Sequence, residues 1–264
     1  MRPSPTILVF DSGLGGLTVL REIVRARPDA NYVYVADDAF FPYGRHSEAE
    51  IIARVVPVIG ELIDAHAPDL VVIACNTAST LVMGHLRRAW SVPFVGTVPA
   101  IKPACARSVS QRVSVLGTSG TVKREYTKAL IRDFAGGCEV TLVGSANLAA
   151  QAEATLGGAT LEDDDLLAEI APCFVDDGHA RTDTVVLACT HYPLLVHRFT
   201  ALAPWPVAWI DPAPAIARRV VDLLSPARQD EAEVTTRFAY TSGRLPSAPL
   251  AQALPPFFGG RIPA

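Results

Sequence analysis

The sequence lacks a surplus of basic residues. Its 23 Lys and Arg residues are fewer than its 27 Asp and Glu residues, and the formal net charge is −4 at pH 7. Proteins that bind nucleic acid neutralise phosphates with clustered Lys and Arg, so this charge balance argues against nucleic acid as a partner. Charged residues make up only 19% of the chain and hydrophobic residues 50%, which excludes an intrinsically disordered chain.

Long apolar runs and a disulfide framework are also lacking. The longest strongly apolar runs, such as residues 70–75, fall far short of the ~18 residues that a membrane-spanning helix needs. Residues 1–6 do not have the basic and then apolar pattern of an export signal. The five cysteines are scattered and odd in number, which is typical of a reducing compartment. We therefore expect a cytoplasmic globular protein with no membrane partner, and 264 residues allow roughly two domains.

Short apolar runs rich in β-branched residues recur along the chain, and segments with helical spacing separate most of them. Such runs are typical of strands that are buried on both faces of a parallel sheet. The predicted strands are 7–10, 32–35, 70–74, 92–95, 113–116, 140–143, 185–188 and 207–210. The alternation of strands and helices predicts the α/β class, with a doubly wound parallel sheet. An acidic stretch at 162–177 is predicted as a surface helix, and residues 235–241 as a late strand.

Two segments of the first half of the chain resemble two segments of the second half. Residues 71–77 (VVIACNT) match residues 185–191 (VVLACTH), and residues 7–13 match residues 113–119 more weakly. The two offsets, 114 and 106 residues, are similar. Strands rich in Val and Ile can resemble one another by chance, but chance explains the shared cysteine poorly. We therefore predict two related α/β halves.

Four polar loops follow predicted strands. In open α/β sheets, ligands bind outside the carboxyl ends of the strands. Each loop carries hydroxyl, amide or thiol groups and precedes a predicted helix, whose free N–H groups attract a carboxylate or a phosphate. The four loops are 11–16, 75–79, 118–121 and 189–191.

The first of these loops also allows a dinucleotide-binding interpretation. Three glycines, at 13, 15 and 16, follow a strand, and Asp37 and Asp38 end the next strand. The third glycine of the G-x-G-x-x-G motif would fall on Thr18, however, so the motif is incomplete. A tight strand-to-helix turn is the preferred interpretation.

Cys75 and Cys189 differ from the other cysteines in their position. Each ends an apolar strand and precedes a polar helix start, where the pKa of a thiol is lowered and a thiolate becomes usable. His191 lies two residues after Cys189, and Asp11 is expected on the strand beside that of Cys75. The remaining cysteines are interpreted as small buried hydrophobic residues. They are Cys105, Cys138 and Cys173.

The matched pair of cysteines favours one kind of reaction over two others. No C-x-x-C or H-x-x-x-H spacing supports zinc, so no metal site is expected. A Cys–His hydrolase needs one nucleophile and leaves the second cysteine unexplained. Two equivalent bases from related halves suit the transfer of a proton from one face of a carbon to the other. Each group then serves as base in one direction and as acid in the other.

Five motifs stand in order between residues 9 and 193. They are VFDSGLGGLTVLRE at 9–22, the segment 37–44 that ends in PYG, ACNTAS at 74–79, LGTSGT at 116–121 and ACTHYP at 188–193. With these motifs the chain resembles the cofactor-independent aspartate/glutamate racemase superfamily and, within it, the glutamate racemase family. The resemblance covers most of the chain apart from the C-terminal tail.

The resemblance implies two pseudo-symmetric α/β domains with the active site between them. The first domain would comprise residues 1–97 and 208–264, and the second residues 98–207. Family members interconvert L-glutamate and D-glutamate without pyridoxal phosphate or metal, so no cofactor is expected, and the D-glutamate feeds peptidoglycan synthesis. The family is often dimeric, so the resemblance suggests a homodimer.

The resemblance also implies roles for individual residues. Cys75 would deprotonate the D-isomer with help from Asp11, and Cys189 would deprotonate the L-isomer with help from His191. A further group would hold the carboxylates and the ammonium of the substrate. Its members are Ser12, Pro42, Tyr43, Gly44, Asn76, Thr77, Thr118, Thr121 and Thr190.

The sequence departs from the family pattern at one place. Family members usually carry an acidic residue near the second catalytic cysteine, at the end of a Pro-Leu-Val-Glu-like segment. Here the stretch 149–153 reads AAQAE, so Glu153 is an open candidate. Two other functions also stay open: a related racemase that acts on aspartate or a hydantoin, and a non-catalytic module that binds an amino acid or a nucleotide. The intact pair of thiols favours an enzyme over a binding module.

Overall fold

The structure is a computed structural model that describes residues 4–226 and 234–264. The chain forms two compact units, Met1–Thr97 with Ala213–Ala264, and Val98–Pro212. The second unit extends to Pro212 rather than to residue 207, because the strand Ala208–Ile210 pairs with another strand of that unit.

Helices and strands alternate along the described residues, as the sequence predicts. The strands are β1 (Thr6–Asp11), β2 (Asn31–Ala36), β3 (Leu70–Ile73), β4 (Phe94–Gly96), β5 (Arg112–Thr118), β6 (Glu139–Ser145), β7 (Thr184–Ala188), β8 (Ala208–Ile210) and β9 (Thr236–Tyr240). The α-helices are α1 (Leu17–Ala26), α2 (Glu48–His66), α3 (Asn76–Ala89), α4 (Ile101–Arg107), α5 (Ser119–Lys123), α6 (Glu125–Phe134), α7 (Leu148–Leu156), α8 (Asp163–Ile170), α9 (Val196–Leu202), α10 (Ala213–Leu223) and α11 (Ala248–Ala253). Short 3₁₀ helices lie at Asp38–Phe40, Tyr43–Arg45, Ala171–Cys173, Tyr192–Leu195 and Pro255–Phe258.

The sheet of the first unit is parallel, with the strand order β4-β3-β1-β2-β9. Every residue of the central strand β1 after the first is buried, which requires cover on both faces of the sheet. On one face, Leu8 and Phe10 of β1 pack into a core with α2 and α3. The apolar face of α2 supplies Ile51, Val55 and Ile59 to this core.

The sheet of the second unit is also parallel, with the strand order β6-β5-β7-β8. Leu116 and Leu187 belong to a core with α7, α8 and α9. Val115 and Val186 belong to another core with α4 and α6. The α/β class and the helix-covered parallel sheets predicted from the sequence are thus confirmed.

The two sheets share one topology. The order β4-β3-β1-β2 in the first unit corresponds to β8-β7-β5-β6 in the second, and β9 is an addition at the edge of the first sheet. The strands that match in sequence, β3 with β7 and β1 with β5, hold equivalent positions in the two sheets. This correspondence supports the prediction of two related halves.

The acidic stretch at 162–177 is helical only in part, so the predicted surface helix is too long. The helix α8 ends at Ile170, and a 3₁₀ turn follows at Ala171–Cys173. Pro172 explains this end, because proline has no N–H group with which to continue the hydrogen bonds of the helix. Across the described ranges, none of the helices has both the length and the apolar character that a bilayer crossing requires.

Candidate active site

The carboxyl ends of β1 and β3 bring three predicted site residues together. The two strands are neighbours, with Phe10 opposite Ile73, so Asp11 and Cys75 leave the same edge of the sheet. Both are buried, and Cys75 exposes only 6% of its surface. The Cys75 thiol donates to the hydroxyl oxygen of Ser12, with 3.4 Å between Sγ and Oγ. The expectation that Asp11 lies on the strand beside that of Cys75 is confirmed.

Close packing explains the glycines of the loop between β1 and α1. A Cβ atom on Gly16 would lie 2.7 Å from Cβ of Asp11 and 3.0 Å from Cβ of Ala74. The phenol of Tyr34 donates to the carbonyl oxygen of Gly13 across 2.7 Å. The loop is therefore a tight turn that holds Asp11 against the β3–α3 junction.

The two carboxylates after β2, those of Asp37 and Asp38, form ion pairs and hydrogen bonds with other residues of the chain. Asp37 is fully buried, and Nη2 of Arg54 lies 2.6 Å from its Oδ1. The hydroxyl of Thr241 also donates to Oδ1 of Asp37. Asp38 accepts from the hydroxyl of Ser242 at 2.7 Å and from Nε of Arg244 at 2.6 Å. These carboxylates bind the segment after β9, which argues against the ribose-binding interpretation.

The Pro-Tyr-Gly segment is anchored by the same buried carboxylate. The peptide bond between Phe41 and Pro42 is cis, and Tyr43 and Gly44 begin a 3₁₀ turn. The Tyr43 phenol is buried and donates to Oδ2 of Asp37 across 2.6 Å. Burial and the neighbouring charge of Asp37 raise the pKa of Tyr43 far above its ordinary value, so this phenol keeps its proton.

The start of α3 presents buried donors beside Cys75. Cys75 is the N-cap residue of α3, and Asn76 and Thr77 form its first turn, where backbone N–H groups have no partner within the helix. The side-chain Nδ2 of Asn76 is buried and has no hydrogen-bond partner among the described residues. A buried donor without a hydrogen-bond partner is unfavourable, so this amide is suited to bind an acceptor on a ligand.

The second unit places a thiol, an imidazole and a carboxylate in a row. Cys189 follows β7 and is buried, with Sγ 3.6 Å from Nδ1 of His191. Nε2 of His191 lies 2.8 Å from Oε1 of Glu153 on α7. Burial lowers the pKa of His191, but the hydrogen bonds with Cys189 and Glu153 outweigh burial and hold this pKa well above its ordinary value. The open candidate Glu153 is therefore in direct contact with a predicted site residue.

The threonines of the second unit lie at the same sheet edge as Cys189. Gly117 of β5 is opposite Ala188 of β7, so Thr118 and Cys189 follow neighbouring strands. The hydroxyl oxygens of Thr118 and Thr121 are 2.9 Å apart, and Oγ1 of Thr118 accepts from the backbone N–H of Thr121 at 3.2 Å. Thr121 and Thr190 are buried. Three of the four predicted loops lead into α-helices, whereas the loop at 189–191 leads into the 3₁₀ turn Tyr192–Leu195 and then α9.

The other three cysteines lie outside these clusters. Cys173 is fully buried, and burial raises the pKa of its thiol to about 12. Cys105 and Cys138 are only half-buried, so the prediction of burial is wrong in degree for these two. Both lie at the edge of the core that Val115 and Val186 form with α4 and α6. Burial together with the neighbouring Cys138 raises the pKa of Cys105 to about 12. In the part of the chain that the structure describes, no group of three or more His, Cys, Asp or Glu side chains is placed to hold a metal ion.

Sequence reasoning missed two residues that support the site. Thr97, directly after β4, donates its hydroxyl proton to Oδ1 of Asn76 across 3.1 Å. The sequence suggests Asp37 only as a potential ligand for ribose, whereas its carboxylate accepts from the Tyr43 phenol. A single threonine after a short strand carries no sequence signal, but the acidic residue before PYG could have suggested a partner for the tyrosine.

Comparison with known proteins places this geometry in a family. The profile of the family described as Asp/Glu/Hydantoin racemase matches residues 7–220. A glutamate racemase from Brucella ovis is 56% identical over 247 residues, which cover 92% of this chain and 89% of the relative. One from Brucella anthropi is 59% identical over 226 residues, which cover 85% of this chain and 81% of the relative.

Solved structures show the same similarity. One of them is Escherichia coli glutamate racemase in complex with L-glutamate and the activator UDP-MurNAc-Ala. It superposes on this chain with a TM-score of 0.88 at 39% sequence identity, and the match covers 97% of this chain and 96% of that chain. The glutamate racemase isoform RacE1 of Bacillus anthracis gives a TM-score of 0.81 at 26% identity, with 99% and 97% coverage. The family profile spans more than half of the chain, so the chain belongs to the Asp/Glu/Hydantoin racemase family and is an amino-acid racemase.

Proposed function

We propose that this enzyme interconverts L-glutamate and D-glutamate by a two-base proton transfer at the α-carbon, with Cys75 and Cys189 as the bases and no cofactor. The observation that carries the proposal is that each unit has a buried thiol at the carboxyl end of an equivalent strand. The names of the relatives support glutamate as the substrate. The D-glutamate would be made in the cytoplasm for peptidoglycan synthesis.

The proposed step moves one proton off the α-carbon and another one on. The thiolate of Cys75 takes the α-proton of D-glutamate, and the electron pair of the broken C–H bond stays on the α-carbon. The thiol of Cys189 then gives its proton to the opposite face and becomes a thiolate. In the reverse direction the roles exchange, so each thiol acts as both acid and base. This step requires both sulfur atoms to reach one α-carbon.

Different groups would assist the two thiols. The carboxylate of Asp11 leaves the sheet beside Cys75. His191 contacts Cys189, and its raised pKa favours the imidazolium, which stabilises a neighbouring thiolate. An acid–base partner on each side is what the exchange of roles needs.

The carbanion-like state needs stabilisation without an electron sink. A cofactor such as pyridoxal phosphate would spread the charge, and in its absence oriented donors around the α-carboxylate must do so. The N–H groups of the first turn of α3 are such donors in the first unit, and Nδ2 of Asn76 is a further donor that holds a substrate carboxylate equally before and during the transfer. Ser12 and the threonines at 118, 121 and 190 supply further hydroxyl groups for the carboxylates and the ammonium. Pro42, Tyr43, Gly44 and Thr77 would complete the wall of the site.

Single-cysteine variants test the proposal. We expect Cys75→Ala and Cys189→Ala each to abolish racemisation of both isomers, as followed by circular dichroism. The matched control is Cys138→Ala, which removes a half-buried thiol outside the clusters and should leave the rate unchanged. In D₂O, wild-type turnover should place deuterium on the α-carbon of the product. Near-wild-type turnover in either site variant would refute the two-base mechanism.

A substrate panel tests the choice of glutamate. Glutamate and aspartate differ by one methylene group, and the family profile covers racemases for both. We expect kcat/KM to be highest for glutamate. A preference for aspartate or for a hydantoin would contradict the assignment of glutamate as the substrate, but it would not contradict the two-base mechanism. Binding of glutamate without exchange at the α-carbon would support a non-catalytic module instead.

A further inference from the structure

We propose that Thr97 is a positioning residue for the reaction, which fixes the side-chain amide of Asn76 so that Nδ2 faces the substrate as a donor. The inference rests on the proposed role of Asn76 as a substrate ligand and adds a residue that acts through it. Thr97 lies directly after β4, at the end of the first part of its unit.

The hydroxyl of Thr97 engages the oxygen end of the amide. Thr97 and Asn76 are both buried, with exposed fractions of 1% and 2%. Oγ1 of Thr97 donates to Oδ1 of Asn76 across 3.1 Å. An amide has an acceptor oxygen at one end and two donor hydrogens at the other, so a donor at Oδ1 directs Nδ2 the other way. The orientation of Asn76 is thus set by Thr97.

The free end of this amide is chemically matched to a carboxylate. Nδ2 of Asn76 is buried and has no hydrogen-bond partner in residues 4–226 and 234–264. It lies in the first turn of the 14-residue helix α3, where the helix dipole favours negative charge. Donor and dipole therefore select an anionic acceptor, such as a carboxylate of glutamate. Without the Thr97 hydroxyl, the amide could turn its oxygen toward that carboxylate.

Two neighbours hold Thr97 in place. Its backbone N–H donates to Oγ of Ser79 across 2.9 Å, and Ser79 lies one turn after Asn76 on α3. Gly96 leaves the space for this bond, because a Cβ atom there would lie 2.2 Å from Oγ of Ser79. Thr97 is thus attached to α3 at two points, one through its backbone and one through its side chain.

Replacing the hydroxyl tests the proposal. Thr97→Val keeps the shape of the side chain and removes the donor, and we expect KM for both isomers of glutamate to rise roughly tenfold, with kcat changed by less than about threefold. Thr97→Ser keeps a hydroxyl and should restore KM to within about twofold of the wild type. The matched control is Thr184→Val, at the opposite end of β7 from Cys189, which should leave KM unchanged. A wild-type KM in Thr97→Val would overturn the proposal.

A double-mutant cycle separates positioning from a general structural effect. If Thr97 acts through the amide, Thr97→Val should add nothing to KM in an Asn76→Ala background, because the amide is already gone. Additive effects would overturn the proposal. Asn76→Asp should raise KM more than Asn76→Ala, because it sets a carboxylate against the substrate carboxylate. An equal or lower KM would show that Nδ2 is not the donor.

The outcomes distinguish this inference from the proposed function. If wild-type enzyme racemises glutamate and Thr97→Val has the KM of the wild type, only the positioning role fails. If wild-type enzyme does not racemise glutamate, the proposed function itself fails. Should Thr97→Val not fold, Thr97→Ala removes the same hydroxyl with a smaller side chain, and a wild-type KM in Thr97→Ala would overturn the proposal.

Discussion

Nε2 of His191 lies 2.8 Å from Oε1 of Glu153, although 38 residues separate the two in the sequence. An ionised carboxylate only accepts hydrogen bonds, so Nε2 carries a proton. Nδ1 of the same ring is then the atom that meets the sulfur of Cys189, 3.6 Å away. Glu153 therefore fixes the orientation of the imidazole beside the second thiol and, together with Cys189, favours its charged form.

Glu153→Gln should lower the pKa of His191, because it removes a negative charge from the ring. The imidazolium of His191 would then lose its proton at a lower pH. The alkaline limb of the pH profile of kcat/KM should therefore move to lower pH. We expect kcat/KM to fall about tenfold near neutral pH. The equilibrium constant of racemisation is one, so kcat/KM must fall by the same factor in both directions.

Glu139→Gln is the control for this prediction. Glu139 is an exposed carboxylate of the same unit that pairs with Arg112 at 3.0 Å at the start of β6, so its replacement should leave the pH profile unchanged. An alkaline limb that stays in place in Glu153→Gln would contradict a role for Glu153 in the charge of His191.

Removal of Arg54 should destabilise the first unit more than loss of the Tyr43 hydroxyl. Arg54→Gln leaves the fully buried carboxylate of Asp37 without its positive partner, which should cost about 3 kcal/mol in the free energy of unfolding. Tyr43→Phe removes one hydrogen bond and should cost about 1–2 kcal/mol. Urea unfolding measures both values.

An exposed ion pair provides the control for Arg54. Arg132→Gln breaks the pair with Glu125, in which both side chains are exposed, and should leave the free energy of unfolding nearly unchanged. If Arg54→Gln were no more costly than Arg132→Gln, the Asp37 carboxylate would not depend on its cation.

Gly16→Ala should disrupt the first half of the site. A Cβ atom at this position would lie 2.7 Å from Cβ of Asp11 and 3.0 Å from Cβ of Ala74, and neither atom can move without its backbone. We expect a loss of about 1–3 kcal/mol in the free energy of unfolding and a large fall in kcat. Thermal unfolding and racemisation assays measure the two effects.

Gly84→Ala is the matched glycine replacement. Gly84 lies in α3, and a Cβ atom there would meet only the end of the Arg88 side chain, 3.5 Å away. Alanine is favoured over glycine within a helix by about 1 kcal/mol, so this variant should be more stable than the wild type. Similar behaviour of the two variants would mean that the space around Gly16 is not the limiting feature.

Asp183 should stabilise the second unit only above the acid range. Its carboxylate accepts from Ser108 at 2.6 Å, from the backbone of Val109 and Ser110 at 2.7 and 2.8 Å, and from Thr184 at 2.9 Å. Burial raises the pKa of Asp183, but these bonds outweigh burial and lower it to about 2. An unfolded aspartate has a pKa of about 3.9, so the stabilisation is complete above that pH and is lost as the pH falls towards 2.

Asp183→Asn tests this pH dependence. Because the carboxylate is partly exposed to solvent, we expect a loss of only about 1 kcal/mol at pH 7, and a smaller difference from the wild type at pH 3. Urea unfolding at several pH values measures both. Asp133→Asn, at an exposed position of α6, should show no such trend. A difference that grows on acidification would contradict the lowered pKa.

The sequence predicts those parts of the site that depend on strand order. Cys75 and Cys189 could be placed at strand ends because continuous apolar runs mark buried strands, and Asp11 could be placed beside Cys75 because β1 and β3 are neighbours. The contact between Glu153 and His191 could not be derived in this way, since it joins a helix to a loop and depends on how α7 packs. Thr97 left no trace in the sequence, because its role lies in one hydrogen bond across two elements.

The place of β9 in the first sheet determines the order in which the two units can be completed. β9 pairs with β2, and α10 packs on α1, so the first unit gains its last strand only when residues 236–240 have been synthesised. The second unit has all four of its strands by residue 210. On the ribosome, residues 98–212 can therefore complete their sheet first. The hydrogen bond from Thr241 to Asp37 can form only later, once the C-terminal segment has been synthesised.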